Sequence, residues 1–321
     1  MLTRRCIRGS FARLRYDCGV EYRFGDRTVA CTHVERVMFP AEGITKGELL
    51  AYYHDVAPLM VPELRGRPLS GVRYTKGIDQ KGFFQKHYQK HFPAWLDQVT
   101  AGSKTQVAYP IADEPAAVLY LANQGSIEFH VWTSRKAALE RPDLLVFDLD
   151  PPDGGFALVR QAARLVHALC DQLALPVFVK TTGSKGLHVV VPLDGAARFD
   201  EVGALATRLG ALLCRRHPEL LTTEFYKKER KGRLFVDMMR NAIGATWVAP
   251  YSLRGQPGAP LSAPITWDEL EDPALAADRV RLRDVRVWLD RRGDPWRDLR
   301  GRLGSVTDAA HALQAVEAGA P

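Results

Sequence analysis

The stretch LLVFDLDPPDG, residues 144–154, decides how the rest of the chain is read. Four apolar residues lead into Asp148, Leu149 and Asp150, and two prolines close the run. An apolar run of this length predicts a buried strand. Strand side chains alternate faces, so Asp148 and Asp150 point the same way. Two carboxylates that close repel each other unless something positive holds them. A divalent cation is the obvious candidate, and oxygen ligands suit Mg2+ or Mn2+. A local reading stands beside this one: PPDG is rich in turn residues, and the aspartates could cap the turn that follows.

Working outward, residues 156–173 predict a helix with Leu158, Ala162, Leu165, Leu169 and Leu173 on its apolar face. Strand PVFVK (176–180), the loop TTGSKG and strand LHVVVPL (187–193) come next; small polar residues and two glycines break both periods in the loop. Asp200 is expected to cap a helix running to about 215, with Val202, Leu205, Leu209 and Leu212 as its buried stripe. RLFVDMM (233–239) reads as a fourth strand. The order β-α-β-β-α-β is the split ferredoxin-like unit also seen in RNA-recognition modules. In that arrangement the first strand is central and the third and fourth flank it, both antiparallel to it. Asp148, Asp150, His188 and Asp237 are thereby expected in one patch. A third carboxylate from Asp237 lets two metal ions be bridged, an arrangement suited to nucleotidyl transfer.

Upstream, Thr45 and Glu48 form a capping box, followed by Leu49, Tyr52, Tyr53, Val56 and Met60 at helical spacing. Residues 1–30 read as a weakly specified basic arm, with one hairpin expected around EYRFGDRTVAC. The body of the domain is expected over 31–300, with the catalytic unit at about 144–240, and residues 301–321 as an Ala/Gly-rich tail. The fold class is α+β, the catalytic unit packing on an N-terminal α/β part. The net charge of +7 makes nucleic acid the first candidate partner, although an Arg-rich proteome would give the same balance. The five cysteines are scattered, without C-x-x-C, which argues against a disulfide framework or a Cys-rich zinc site. No apolar run approaches the ~18 residues of a membrane span. A reducing cytoplasm is the expected compartment.

Further residues gather round the carboxylates. In TTGSKGLH, backbone N–H groups, Thr182, Ser184 and Lys185 suit phosphates, and His188 is placed to donate to a phosphate or sugar. The spacing is not that of a Walker A loop. Arg230, Arg240, Asn241 and Arg254 could clamp a triphosphate by bidentate bonds. His130, in IEFHVW, could reach a ribose hydroxyl or simply pack. FFQKHYQKH (83–91) interleaves aromatics with cations, as a single-strand platform does. The helix start at Thr45, with its free N–H groups, Lys46, Arg36 and His33, suggests an anion pocket for a terminal phosphate.

Taken together, these segments resemble the polymerase domain of bacterial DNA ligase D, in the archaeo-eukaryotic primase superfamily. VFDLDP (146–151), TTGSKGLHVVVPL (181–193), FVDMMRNAIGATWVAPYSLRG (235–255), RVMFPAEGITK (36–46), GIDQKGFFQKH (77–87) and IEFHVWTSR (127–135) carry the resemblance, in order, over about residues 30–300. It implies a primase-type fold and a template-directed nucleotidyltransferase using NTPs or dNTPs, favouring ribonucleotides and manganese. It implies that Asp148, Asp150 and Asp237 bind two metal ions. Thr182, Lys185 and His188 would contact the incoming nucleotide, Arg230 and Arg254 its triphosphate, and His130 its sugar. Arg36 and Lys46 match the pocket that reads a 5′-phosphate at a gap, and Phe83 and Phe84 the aromatic pair at the template. His33 stands where related domains often have Asn. The implied setting is bacterial non-homologous end joining, near the nucleoid, with DNA ends, Ku and a ligase domain acting in cis or trans. The K-x-D-G motif of adenylating ligases is absent from the chain, so no ligase activity is expected of it. A DNA-end-binding module with a vestigial metal site is the alternative of another class. A D-x-D phosphatase is the alternative enzyme, but Pro151 and Pro152 stand where its motif expects Gly-Thr.

Overall fold

The computed structural model describes residues 19–102, 105–152 and 155–319. The N-terminal part contains the hairpin β1 (Val20–Phe24) and β2 (Arg27–Cys31), and a small pair β3 (Val37–Phe39) and β4 (Ile44–Thr45). Helix α1 (Lys46–Leu64) follows, then β5 (Leu69–Arg73), β6 (Phe83–Gln85), a second hairpin β7 (Gln98–Ala101) and β8 (Val107–Pro110), helix α2 (Pro115–Asn123) and β9 (Ser126–Val131). The second part runs β10 (Leu144–Asp150), α3 (Phe156–Gln172), β11 (Phe178–Thr181), β12 (Leu187–Pro192), α4 (Phe199–Arg216), β13 (Leu221–Thr222) and β14 (Leu234–Asp237). Short strands β15 (Trp247–Val248) and β16 (Pro264–Ile265), then helices α5 (Val285–Arg292) and α6 (Val306–Glu317), complete it.

Two sheets carry the site. The larger has the order β13-β14-β10-β12-β11-β16, and the smaller β15-β9-β5-β6. Within the larger, β14-β10-β12-β11 is the expected split unit, with β10 central and antiparallel to both neighbours. Strand β10 is apolar from Leu144 to Phe147 and again at Leu149 because both of its faces are buried. Leu145, Phe147 and Leu149 join the core formed with α3, α4 and α6, while Leu144 and Val146 join the core of the N-terminal part. Asp148 and Asp150 continue the second face, where the contact between the two parts opens to solvent.

Several expectations need adjustment. Helix α3 buries Val159, Ala162, Ala163, Val166, Leu169 and Cys170, so its apolar face is rotated from the expected one and Leu158 and Leu165 sit at its margin. Helix α4 buries the expected stripe, but its N-cap is Arg198 rather than Asp200. The Glu201 carboxylate accepts the Arg198 backbone N–H at 2.8 Å, and Asp200 lies in the first turn, where negative charge suits the helix dipole. The arm expected over 1–30 holds the hairpin from Val20 onward, and Val29 and Cys31 are core residues; residues 1–18 lie outside the described ones. The segment expected as a C-terminal tail forms α6, because Val306, Ala309 and Leu313 at helical spacing give it an apolar stripe to bury beside α4. Cys31, Cys170 and Cys214 are free thiols, and among the described residues no helix is long and apolar enough to cross a membrane.

Two polar devices hold β10 in place. Strand β14 pairs with β10 only along Asp148–Asp150. Beyond that the chain turns away, and the buried Asn241 side chain takes over the ladder, accepting from Val146 N–H and donating to Val146 C=O, both at 2.8 Å. Asn241 is thus a backbone surrogate rather than a phosphate ligand. Just ahead of β10, Asp143 faces the fully buried Arg67 at 2.6 Å, Arg135 at 2.7 Å and Arg300 at 3.1 Å; Arg300 also pairs with Glu63 of α1. Burial alone would raise the Asp143 pKa, but the three guanidiniums outweigh it and hold the carboxyl down to about 2.

Replacing Asn241 with Leu should destabilise the fold by roughly 2–4 kcal/mol, the cost of two buried backbone groups left without partners. Urea unfolding measures this, and a loss below ~0.5 kcal/mol would rule out the surrogate role. Because the folded pKa of Asp143 is depressed, its contribution is complete above about pH 4 and fades as pH falls through 2. Asp143→Asn should therefore lower stability at pH 6 and flatten its decline between pH 4 and 2, as read by thermal unfolding across that range.

Candidate active site

Register builds the centre of the site. Lys180 of β11 lies across from His188 of β12, His188 from Asp148 of β10, and Asp148 from Asp237 of β14. Four ionisable side chains therefore form one row across four strands. All four are buried, and Lys180 has no exposed surface. Burial of this kind requires pairing. His188 Nε2 lies 3.2 Å from Asp148 Oδ1, and Arg240 Nε donates to Asp148 Oδ2 at 2.9 Å. Arg240 also approaches Asp237 at 3.9 Å, whose other oxygen accepts the Met239 N–H at 2.8 Å. Lys180 donates to the Ser262 hydroxyl and lies 5.0 Å from the centre of the Trp247 ring.

These neighbours separate the protonation behaviour of the carboxylates. Burial opposes ionisation of Asp148, but the His188 ring and the Arg240 guanidinium hold it well below the usual carboxylate range. Asp150 has no such partner; burial and the Asp148 charge push it up to about 6. Burial also raises Asp237, against the Met239 N–H and Arg240. His188 is pushed down to about 4 by burial and by Lys180, and its Nδ1 is buried without a hydrogen-bond partner.

A cleft of about 300 Å3 opens over this row. Its walls include Phe84, His130, Asp148, Asp150, Thr182, Ser184, Lys185, His188, Arg240 and Arg254, so ten residues singled out from the sequence share one cavity. The TTGSKG loop is shaped from within. The Thr182 hydroxyl donates to Gly186 C=O and accepts from the Ser184 and Gly186 N–H groups, which makes it a brace for the loop. Gly183 has φ +67°, and a Cβ at Gly186 would stand 2.1 Å from the Leu149 carbonyl oxygen, so the loop passes directly over the end of β10. The Ser184 hydroxyl accepts from the Gln256 amide at 3.0 Å, leaving Lys185 to extend a charge into the cleft.

Some expected residues lie elsewhere. Asp237 borders a neighbouring apolar groove with Phe235 and Met239. Arg230 is outside the cleft: it donates to the Glu224 and Phe225 carbonyls and stacks 4.0 Å over Phe235. Its charge is still felt by Asp150 and Asp237. Phe83 and Phe84 are exposed on strand β6 at the edge of its sheet, so they are not core residues; Arg73 lies over the Phe83 ring and Phe84 meets His130 edge-on at 5.6 Å.

His33, Arg36 and Lys46 gather at the start of α1, apart from the cleft. The expected free N–H groups are absent there. Thr45 N–H donates to Glu48, Lys46 N–H to Arg36 C=O, Gly47 N–H to Val34 C=O and Glu48 N–H to the Thr45 hydroxyl. Any anion there must be held by side chains. Lys46 Nζ donates to Thr32 C=O at 2.8 Å, burial pushes its pKa down to about 8, and Arg36 donates to Thr75 C=O at 2.6 Å. His33 has φ 54°, a left-handed conformation in which Asn is more at ease.

Glu128, Lys180 and Trp247 were not foreseen. Glu128 could have been found as the same-face neighbour of His130 two residues on, and Lys180 as the only charge in PVFVK; nothing marks Trp247 in ATWVAP. Among the described residues no three His, Cys, Asp or Glu side chains already converge as metal ligands, because Asp148 and Asp237 are engaged by Arg240, His188 and Met239. The donor set nevertheless suits a divalent cation: three carboxylates stand on adjacent strands, and Asp150 is raised by burial and by the Asp148 charge, a repulsion that a cation would relieve.

A family model for the LigD primase-polymerase domain matches residues 45–296. A solved polymerase domain of Mycobacterium tuberculosis ligase D, in complex with DNA, superposes with a TM-score of 0.80 at 34% identity, covering 86% of this chain and 99% of that one. The multifunctional non-homologous end joining protein LigD of Pseudomonas aeruginosa is 36% identical over 285 residues, 88% of this chain and 34% of its own. The bifunctional LigD of Bacillus subtilis is 31% identical over 249 residues, 76% of this chain and 40% of its own. The chain thus spans about a third of the length of such relatives. The family model covers most of the chain and the superposition extends over nearly all of the solved domain, so the chain belongs to the LigD primase-polymerase domain family.

Proposed function

We propose that the chain is a template-directed nucleotidyltransferase that fills gaps and extends ends in bacterial non-homologous end joining, favouring ribonucleotides. The observation that carries this reading is the placement of three aspartates and a Gly-Ser-Lys-Gly loop around one row of the sheet, with an exposed aromatic at the cleft mouth. Asp148, Asp150 and Asp237 would hold two divalent ions, manganese preferred. Bound there, such ions would activate the attacking hydroxyl and steady the pyrophosphate. Arg240, bonded to Asp148 at 2.9 Å and lining the cleft, would contribute its charge to the triphosphate. Lys185 and Arg254 would grip the phosphates, the latter held by Glu128 at 2.9 Å and by Thr182 C=O at 2.9 Å. Phe84 would stack on a base, and His130 would face the sugar.

Arg36, Lys46 and His33 would receive the 5′-phosphate of the downstream strand, and Ku and a ligase domain would complete the repair. A DNA-end-binding module is favoured by no observation here, since three buried or half-buried carboxylates serve no purpose in DNA binding.

Extension of a labelled primer across a gapped duplex, with Mn2+ and NTPs or dNTPs, tests the reading; no templated addition would refute it. Asp148→Ala should lower addition by ~10^3-fold or more while duplex binding persists, since the lost charge stabilisation is worth several kcal/mol. Continued extension at near-normal rate would overturn the metal assignment. Arg36→Gln combined with Lys46→Met should erase the advantage of a 5′-phosphorylated gap, a loss of roughly 10–100-fold in binding for charge-assisted bonds. Because the Lys46 pKa is held down to about 8, that advantage in the unmodified chain should shrink between pH 7 and 9; a preference unchanged over that range would exclude Lys46 as the reader.

A further inference from the structure

Glu128 stands two residues before His130 on the same face of β9 and is 6% exposed. Its Oε1 accepts the Gly255 N–H at 3.0 Å, and its Oε2 accepts Arg254 Nε at 2.9 Å and meets His130 Nε2 at 3.0 Å. Burial opposes its ionisation, but His130, Arg254 and Gly255 hold its pKa below the usual value. An ionised carboxylate only accepts hydrogen bonds, so His130 must donate from Nε2. Burial pushes the His130 pKa down, so the neutral ring carries one proton. With that proton on Nε2, Nδ1 is an acceptor.

The cleft indicates what Nδ1 would meet. Lys185, Arg254 and the glycine loop form its cationic side, and Phe84 its aromatic side. His130 touches Phe84 edge-on and is tied through Glu128 to Arg254, so it lines the cleft between the aromatic ring and that guanidinium. In a nucleotide, the sugar lies between base and phosphates. We propose that Glu128 is a positioning residue for nucleotide selection: by accepting a hydrogen bond from Nε2–H it leaves Nδ1 of His130 as the acceptor, which favours a nucleotide that carries a hydroxyl donor at C2′. The inference rests on the polymerase reading above. A deoxynucleotide offers only C–H at that position and leaves the acceptor unpaired, whereas the grip of Arg254 on the phosphates serves every nucleotide alike.

The test is single-nucleotide insertion into a gapped duplex with Mn2+, comparing NTP, dNTP and the 2′-fluoro analogue, whose fluorine cannot donate. The unmodified chain should use the NTP best and treat the 2′-fluoro nucleotide as it treats the dNTP. Nitrogen-15 shifts of His130 should report the Nε2–H tautomer. In Glu128→Gln one amide oxygen replaces a carboxylate that served three donors, and kcat/KM for the NTP should fall roughly 3- to 10-fold more than for the dNTP, the range of one neutral hydrogen bond. Equal losses for all three nucleotides would reduce Glu128 to a structural or phosphate-side role and overturn the proposal. So would an Nδ1–H tautomer, or a 2′-fluoro nucleotide used as well as the NTP, and neither measurement requires the variant to fold. Templated addition without an NTP advantage would sink this inference alone, while no addition by the unmodified chain would remove the polymerase reading beneath it.

Discussion

The burial of Asp148 constrains everything around it. A carboxylate in the middle of a sheet is tolerated only with partners on both sides, and β10 supplies them through its neighbours: His188 from β12 and Arg240 from the turn after β14. That requirement fixes register, because a one-residue slip would turn Asp148 into the apolar layer under α3 and α4. The Asn241 amide and the Asp143 cluster anchor β10 at points ahead of the site. Stability and chemistry therefore share one strand, the first supplied by its upstream half and the second by its last three residues.

The charges nearby form a graded series. Lys180 is enclosed and pushed well down by burial, His188 is kept neutral, Asp148 stays ionised, and Asp150 is lifted to about 6. Such a spread arises because burial disfavours the charged form of every member, and only Asp148, between His188 and Arg240, has partners that outweigh it. Arg240 balances the acidic end internally, which explains how the fold accommodates three aspartates in close register. A second hub repeats the logic on the other wall: Glu128 ties His130 to Arg254, and Arg254 to the backbone of the glycine loop.

The legible parts of this molecule were those with a period or a motif. The split βαββαβ unit followed from strands and helices alternating between 144 and 239, and the meeting of Asp148 with His188 and Asp237 followed from its topology. The capping box at Thr45 was also visible. What escaped depends on how the chain closes in space, across distant segments or within a single loop. Asn241 looked like a phosphate ligand because nothing local shows that β14 ends early. Thr182 looked like a ligand because its internal bonds to residues 184 and 186 depend on how the loop closes. Arg230 carries the right charge near Asp237 in sequence, yet its side chain is spent on neighbouring carbonyls. The α6 stripe of Val306, Ala309 and Leu313 was masked by an Ala-rich composition that suggested a tail.

The start of α1 closes all of its own backbone donors, through Glu48, Thr45 and the carbonyls of Val34 and Arg36. Helix integrity there owes nothing to a guest. The side chains of residues 33 and 36 are consequently separable from the helix: exchanging them would not fray its first turn, whereas Lys46 is buried and bonded to Thr32 C=O. The polarity of this surface can change while the helix beneath stays constant. Residue 33, held at a backbone angle that suits Asn better than His, is the position where a substitution would relieve backbone strain as well as change the surface.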